Sequence, residues 1–168
     1  MPVTNYSSFM TSPAVAAVPQ AGQLAPDFTL PSTAGSPVTL SALRGTTSVL
    51  LCFFPLAFSS VCTAEFSELR DAYDQFAARQ VTVFPISVDS VYALKEFKAK
   101  HGMRFDLLSD FKREVSALYG TLLPDTWYSN RAYFLIDTQG TLRWVQVEPH
   151  PGLKRESAEI LAAIAALG

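Results

Sequence analysis

Residues 48–62 read Ser-Val-Leu-Leu-Cys-Phe-Phe-Pro-Leu-Ala-Phe-Ser-Ser-Val-Cys, an apolar run followed by a short loop. The continuous apolar stretch at residues 48–54 predicts a central β-strand covered on both faces, and Pro55 ends that strand. Between about residues 60 and 79, apolar side chains recur at spacings of three and four, which predicts an amphipathic helix; they are Phe66, Leu69, Tyr73 and Phe76. Cys62 therefore lies where a strand gives way to a helix.

This position suggests that Cys62 is a reactive thiol. A thiol in the first turn of a helix faces unpaired backbone N–H groups and the positive end of the helix dipole, and both favour the thiolate over the neutral thiol. The thiolate is the form that acts as a nucleophile. The alternative is an inert, buried cysteine, because free cysteine is among the most buried residue types. Position alone leaves both interpretations open.

A second strand and helix follow the first pair. Residues 81–87 read as another buried strand, and Asp89 or Ser90 can cap a helix that Gly102 stops. Residues 105–108 are a candidate for a short third strand. Together these segments predict a βαβ arrangement with parallel neighbouring strands.

The last third of the chain predicts a helix, a hairpin and a closing helix. Asp110 can cap a helix that ends at Gly120, with Val115, Leu118 and Tyr119 on its inner face. Residues 132–136 and 141–147 flank a turn in which Gly140 can take the left-handed conformation that a short loop requires. The closing helix carries the apolar residues Ile160, Leu161, Ile164 and Leu167.

This order of elements predicts an α/β fold of thioredoxin-like architecture. Its central mixed β-sheet would be flanked by helices, because the βαβ half gives parallel strands and the hairpin adds antiparallel ones. Short strands at residues 25–30 and 37–40 form an N-terminal strand extension. We expect one domain at residues 23–168. Residues 1–22, rich in Ser, Thr, Pro and Ala, precede it as an extension that is flexible or lies across a surface.

Composition excludes several classes of function. Hydrophobic residues make up 49% of the 168 residues and charged residues 17%, which is typical of a packed globular protein. A net charge of −2 without a long block of one sign argues against a nucleic-acid partner. No apolar run is long enough for a membrane-spanning helix. Two cysteines and no export signal favour a reducing cytoplasm.

Three motifs resemble those of the peroxiredoxin family. The spacing Pro55-x-x-x-Ser59-x-x-Cys62 resembles the family's peroxidatic motif. Residues 130–137 (Asn-Arg-Ala-Tyr-Phe-Leu-Ile-Asp) resemble its arginine-bearing strand, and residues 25–28 (Ala-Pro-Asp-Phe) its N-terminal motif. The likeness covers about residues 22–168. Residues 55–59, together with Glu65, are most similar to the one-cysteine alkyl hydroperoxide reductase E type.

The resemblance implies a role for each motif residue. Cys62 would be the peroxidatic nucleophile that becomes a sulfenic acid, while Ser59 and Arg131 hydrogen-bond the thiolate and the peroxide. The Pro55 ring would shield the thiolate from water. Glu65 would hold Arg131 in position.

Each of these residues also has a simpler interpretation. Pro55 can simply end a strand, Ser59 can be an N-cap, and Arg131 can form a surface ion pair. Glu65 can be a favourable acidic residue early in a helix.

Aromatic residues near the motifs carry weaker predictions. Phe58 lies near a dimer contact in the family, so it would pack either on a second subunit or in its own core. Trp127 and Tyr128 either line the pocket or only pack. His101 and His150 lack metal-like spacing, so we predict neither a metal site nor a cofactor.

The resemblance implies hydroperoxide substrates and an external thiol reductant. About 10 Å of extended chain separates Cys52 from Pro55, whereas a disulfide needs Cα atoms within roughly 7 Å, so Cys52 is a poor resolving thiol. We therefore expect a low-molecular-weight thiol with a glutaredoxin-like protein, or thioredoxin, to recycle Cys62. A homodimer is expected.

Two alternatives belong to other classes of function. A thioredoxin-like electron carrier would need a cysteine where Ser59 stands. A redox sensor, relay or chaperone on the same fold stays open.

Overall fold

The computed structural model describes residues 13–168, which form a five-stranded sheet, a two-stranded sheet and five α-helices. The strands are β1 Thr29–Leu30, β2 Val38–Thr39, β3 Ser48–Phe53, β4 Val81–Ser87, β5 Leu108–Ser109, β6 Ala132–Ile136 and β7 Leu142–Val147. The helices are α1 Ser60–Asp71, α2 Tyr73–Ala78, α3 Val91–His101, α4 Glu114–Leu118 and α5 Ser157–Ala165. A short 3₁₀ helix, Leu40–Leu43, follows β2.

The large sheet has the order β5-β4-β3-β6-β7. The strands β3, β4 and β5 are parallel, whereas β6 runs antiparallel to β3 and β7 runs antiparallel to β6. This confirms the predicted mixed sheet. Phe53, the last residue of β3, pairs with Ala132, the first residue of β6. The C-terminal end of β3 and the N-terminal end of β6 therefore lie side by side at the same end of the sheet. This places Cys62 and Arg131, which lie just beyond these strand ends, near each other.

The central strand β3 divides the core into two layers, as its uninterrupted apolar sequence predicts. Leu50, Cys52 and Phe54 face a cluster that includes residues of α1, α3 and α5. Val49, Leu51 and Phe53 face a second cluster that includes Val115 of α4, Tyr119 and residues of the N-terminal segment. Because successive side chains of a strand point to opposite faces, one six-residue strand supplies both layers.

The predicted caps of α3 and α4 and the predicted turn at Gly140 are confirmed in detail. The Ser90 hydroxyl accepts a hydrogen bond from the backbone N–H of Ala93 and so caps α3, which ends at Gly102 in the left-handed conformation. Gly140 has a φ of 87° in the turn between β6 and β7. The Asp110 carboxylate accepts hydrogen bonds from the N–H groups of Val115 and Ser116 at the start of α4.

Three local predictions were wrong. The helix predicted from about residue 60 to 79 is two helices, because the chain at Ala72 leaves helical geometry with ψ near 0°. The short strand predicted at residues 105–108 is shifted to Leu108–Ser109, the two residues that pair with the end of β4. Leu118 is 40% exposed, because α4 has only five residues and turns Val115, Ser116 and Ala117 inward instead.

The N-terminal segment, residues 13–28, packs against the rest of the domain. The backbone N–H of Ala16 donates to the carbonyl of Ala117, Pro19 is buried, and Leu24 forms an isolated bridge with Thr141. Of the predicted extension at residues 1–22, residues 1–12 lie outside the described part of the chain. None of the helices within residues 13–168 combines the length and apolarity needed to cross a membrane.

Candidate active site

The loop between β3 and α1 is anchored to the end of β4. The N–H of Phe54 donates to the carbonyl of Ile86 at 3.0 Å, and the N–H of Ala57 donates to the Asp89 carboxylate at 2.8 Å. Asp89 also accepts from the Ser87 hydroxyl at 2.7 Å. The sequence suggested Asp89 only as an alternative helix cap, but the structure uses it to hold the loop that carries the Pro55 to Cys62 motif.

Phe58 packs within its own chain. Its ring lies 5.0 Å from the ring of Phe97, and the Lys100 ammonium lies 5.6 Å from its centroid. The backbone of Phe58 has a φ of 67°, which L-residues rarely adopt, and 49% of the residue stays exposed. This packing supports the intrachain interpretation and leaves about half of the residue exposed to solvent.

Cys62 occupies the first turn of α1, as predicted, and is fully buried. The Nη2 atom of Arg131 donates a hydrogen bond to its Sγ atom at 3.1 Å. Arg131 is itself buried, so this contact lies out of solvent, where an electrostatic interaction is stronger than in water. The predicted alternative of a surface ion pair for Arg131 is therefore wrong.

Glu65 is the charge partner of Arg131. The two side chains form a buried ion pair through Nη1 of Arg131, and the Tyr133 hydroxyl donates to the other oxygen of the carboxylate. Burial raises the pKa of the Glu65 carboxyl, while Arg131 and the Tyr133 hydrogen bond oppose that rise. Burial works to lower the pKa of the Arg131 guanidinium, but Glu65 and Cys62 raise it above its usual value. The guanidinium therefore stays charged.

A backbone carbonyl completes the hold on Arg131. The carbonyl oxygen of Pro151 accepts from both Nε and Nη2 at 3.2 Å. All three guanidinium nitrogens thus have a protein acceptor, which fixes the fork in one orientation. This contact was not predictable from the sequence, because any residue can supply a backbone carbonyl.

A cavity of about 250 Å³ is lined by Arg131 and by residues that directly precede Cys62 in the chain, while Cys62 itself is not part of its lining. Ser59 and Tyr128 line it, whereas Trp127 is not among its lining residues and is partly exposed. The Ser59 side chain is exposed and does not cap α1 by a hydrogen bond, so the N-cap interpretation is not supported for its hydroxyl. The other lining residues are Pro55, Leu56, Ser60, Val61, Pro151 and Gly152.

Cys52 has surroundings different from those of Cys62. It is fully buried in the middle of β3 and is a free thiol. Burial raises its pKa well above the usual value, and the nearby Glu65 raises it further. Cys52 is therefore a neutral thiol at physiological pH.

The two histidines have packing or turn roles. The His101 ring lies 4.8 Å from that of Phe97, and the Nδ1 atom of His150 accepts from the N–H of Gly152. Within residues 13–168, no group of three or more His, Cys, Asp or Glu side chains is placed to hold a metal ion.

Comparison with known proteins places the chain in a family. Residues 21–145 match the AhpC/TSA family. The chain belongs to this family of peroxiredoxins. It is 37% identical over 148 residues to alkyl hydroperoxide reductase E of Mycobacterium tuberculosis, a match that covers 87% of this chain and 96% of the relative. It is 36% identical over 152 residues to peroxiredoxin 2 of Thermoplasma acidophilum, covering 87% and 75%.

Solved structures of family members have the same fold. The peroxidoxin BcpB of M. tuberculosis superposes with a TM-score of 0.79 at 30% identity, covering 88% of this chain and 97% of that one. Reduced 2-Cys peroxiredoxin of Plasmodium vivax gives 0.81 at 34% identity, covering 88% and 81%. These likenesses confirm the predicted thioredoxin-like fold and the predicted family.

Proposed function

We propose that this peroxiredoxin is a thiol-dependent peroxidase that reduces hydrogen peroxide and organic hydroperoxides at Cys62. The observation that carries the proposal is the buried hydrogen bond from Arg131 Nη2 to Cys62 Sγ. A fixed guanidinium beside the sulfur stabilises a thiolate, and it can also bind the oxygens of an incoming peroxide. The names of the relatives support the same activity.

In the proposed reaction the Cys62 thiolate attacks one peroxide oxygen. An S–O bond forms and the O–O bond breaks, so the sulfur is oxidised by two electrons and the peroxide is reduced. The departing oxygen takes a proton and leaves as water or an alcohol. Arg131 stabilises the negative charge that moves from sulfur to this oxygen, and Glu65 keeps Arg131 oriented.

Pro55 and Ser59 have supporting roles in this proposal. Both line the cavity next to Cys62. Pro55 is buried, and its ring would keep water from the sulfur. The Ser59 hydroxyl lies at the cavity wall without capping the helix, so it is available to hydrogen-bond a peroxide oxygen.

We infer that an external thiol recycles the sulfenic acid. Cys52 is a poor resolving thiol because it is buried, neutral and part of a central strand. One external thiol would attack the Cys62 sulfur to form a mixed disulfide and release water, and a second would then restore the Cys62 thiol. A low-molecular-weight thiol with a glutaredoxin-like protein, or thioredoxin, could serve, and a reducing cytoplasm would supply either.

We also infer a homodimer. Leu56 and Phe58 are 40% and 49% exposed on the active-site loop, so apolar area stays uncovered beside the cavity.

An electron carrier is disfavoured because Ser59 occupies the position of its second cysteine. A sensor, relay or chaperone has no observation that favours it over the enzyme.

Mass spectrometry after one equivalent of peroxide tests the function, with dimedone present to trap sulfenic acid. The wild type and Cys52→Ser should each carry one dimedone adduct, located on Cys62, and Cys62→Ser should carry none. A disulfide between Cys52 and Cys62 in the wild type would contradict the one-cysteine mechanism. Absence of any adduct or further oxidation at Cys62 would contradict the peroxidase.

A further inference from the structure

Tyr133 is fully buried in β6, two residues after Arg131 and on the same face of the strand. Its hydroxyl contacts two groups. It hydrogen-bonds one oxygen of the Glu65 carboxylate, and it accepts a hydrogen bond from the backbone N–H of Arg155 at 3.0 Å. The hydroxyl therefore joins the active-site carboxylate to the segment that follows β7.

The direction of these two bonds follows from the groups involved. A backbone N–H can only donate, so Arg155 occupies a lone pair of the Tyr133 oxygen and the single hydroxyl proton points to Glu65. The second oxygen of Glu65 is paired with Arg131. Both oxygens of the carboxylate are thus held, and neither can swing away without leaving a buried donor unpaired.

We propose that Tyr133 is a positioning residue for peroxide reduction, holding the Glu65 carboxylate so that it keeps the Arg131 guanidinium aimed at Cys62 and at the peroxide. The inference rests on the proposed peroxidase function. The Tyr133 hydroxyl hydrogen-bonds Glu65 and Arg155, and Tyr133 does not line the cavity, so its hydroxyl acts through its neighbours. Its absence would leave one oxygen of a buried carboxylate without a donor, and the carboxylate free to turn.

The Tyr133 hydroxyl also contacts the segment at residues 151–156, which forms part of the cavity wall. Three contacts connect residues 151–156 to Tyr133, Arg131 and α1. Arg155 N–H reaches Tyr133, Pro151 O accepts from Arg131, and Lys154 donates to Glu68 of α1 at 2.7 Å. Pro151 and Gly152 from this segment line the cavity. Loss of the Tyr133 hydroxyl removes one of these three contacts next to the cavity.

The proposal gives a distinctive pH signature. The titratable and charged groups around the Glu65 carboxylate are Arg131, which directly precedes β6, Tyr133 from β6, Lys154 from the segment after β7, Cys52 from β3 and Cys62 on its own helix. The Tyr133 bond lowers the pKa of Glu65 against the effect of burial. Without that bond Glu65 takes up a proton at a higher pH, and the neutral acid no longer orients Arg131. The acid limb of the peroxide rate should move to higher pH.

The test is the second-order rate constant for oxidation of Cys62 by hydrogen peroxide, followed by tryptophan fluorescence between about pH 4 and pH 8. Tyr133→Phe should react roughly 10-fold more slowly at neutral pH, with its acid limb displaced upward. Tyr119→Phe is the matched control. Tyr119 is equally buried and its hydroxyl donates to Pro26 O at 2.7 Å, but it lies in the other core cluster. Its variant should keep the wild-type profile within about 2-fold.

A double variant that combines Tyr133→Phe with Glu65→Met separates a positioning role of Tyr133 from a general structural effect. Glu65→Met keeps a similar length but has no carboxylate for Tyr133 to hold. Adding Tyr133→Phe to Glu65→Met should change the rate by less than about 2-fold, and this comparison also serves if Tyr133→Phe alone is unfolded by circular dichroism. A further large loss in that background would overturn the proposal, as would a Tyr133→Phe profile equal to that of Tyr119→Phe. If the wild-type protein consumes hydrogen peroxide no faster than Cys62→Ser does, the proposed peroxidase function is wrong, and the result then says nothing against a contact between Tyr133 and Glu65.

Discussion

Two cysteines share one core cluster in this protein, and they have different neighbours. Cys62 lies against the Arg131 guanidinium, whereas Cys52 lies in a strand where burial and the charge of Glu65 raise its pKa. We predict that Cys52→Ala keeps the rate of peroxide reduction within about 2-fold of wild type and lowers the free energy of unfolding by about 1–2 kcal/mol through lost packing. Stopped-flow kinetics and urea unfolding measure the two effects.

Cys62→Ala is the matched variant, because it removes the same atom from the same cluster. It should have a comparable effect on unfolding and abolish peroxide reduction. Loss of activity in Cys52→Ala, in a protein that is still folded, would show that Cys52 takes part in the catalytic cycle.

At this scale the sequence revealed the residues with distinctive chemistry. Cys62, Glu65 and Arg131 were predicted to meet, and the structure brings them together. Tyr133 and Pro151 were missed. A tyrosine in an apolar strand looks like ordinary core, and a backbone carbonyl has no residue signature, so only the fold shows that both contact the site.

We propose that the first turn of α1 opens to let an external thiol reach Cys62. The sulfur is fully buried, and the turn is closed by the N–H of Thr63 donating to Ser59 O at 3.0 Å. An added oxygen on the sulfur crowds a packed space. We predict faster amide hydrogen exchange at residues 61–64 in the sulfenic acid than in the reduced protein, measured by mass spectrometry after dimedone-free oxidation.

Helix α3 is the internal control for this measurement. It packs on the same core cluster through Leu94 and Phe97 but carries no reacting group. Its exchange should be equal in the two states. Equally slow exchange at residues 61–64 before and after oxidation would contradict local opening of α1.

Element types were predictable from periodicity, and element ends were less so. The strand at residues 48–53 and the capped helix α3 follow from an apolar run and from Ser90 and Gly102. The break at Ala72 was missed because neither Pro nor Gly marks it. Leu118 faces outward because α4 is too short for its apolar spacing to define one buried face.

The described N-terminal segment belongs to the packed body of the molecule, and Gly120 shows how closely it fits. A methyl group on Gly120 would come within 2.7 Å of Ala16 O and 2.8 Å of Val18 N, at a φ of +68°. We predict that Gly120→Ala lowers the free energy of unfolding by roughly 2–4 kcal/mol, the sum of a left-handed backbone cost and a steric clash. Thermal unfolding of the protein would measure the loss of stability, and limited proteolysis would measure how well residues 13–22 stay protected.

The variant Gly102→Ala separates the cost of a left-handed backbone from the cost of a steric clash. Gly102 has a φ of +59°, but a methyl group there meets open space. This variant should lose only about 1–2 kcal/mol and leave the N-terminal segment as protected as in wild type. Equal losses of stability in the two variants would mean that the N-terminal segment does not pack on Gly120 in solution.

The central claim is that Arg131, held by Glu65 and Pro151, makes the Cys62 thiolate fast toward peroxides. The most direct measurement is the second-order rate constant for oxidation by hydrogen peroxide in wild type and Arg131→Lys, which keeps the charge but loses the planar fork. We predict a fall of about 10²–10³-fold, the scale expected for removing a preorganised donor from a developing oxyanion. A folded Arg131→Lys protein that reacts as fast as wild type would contradict the account.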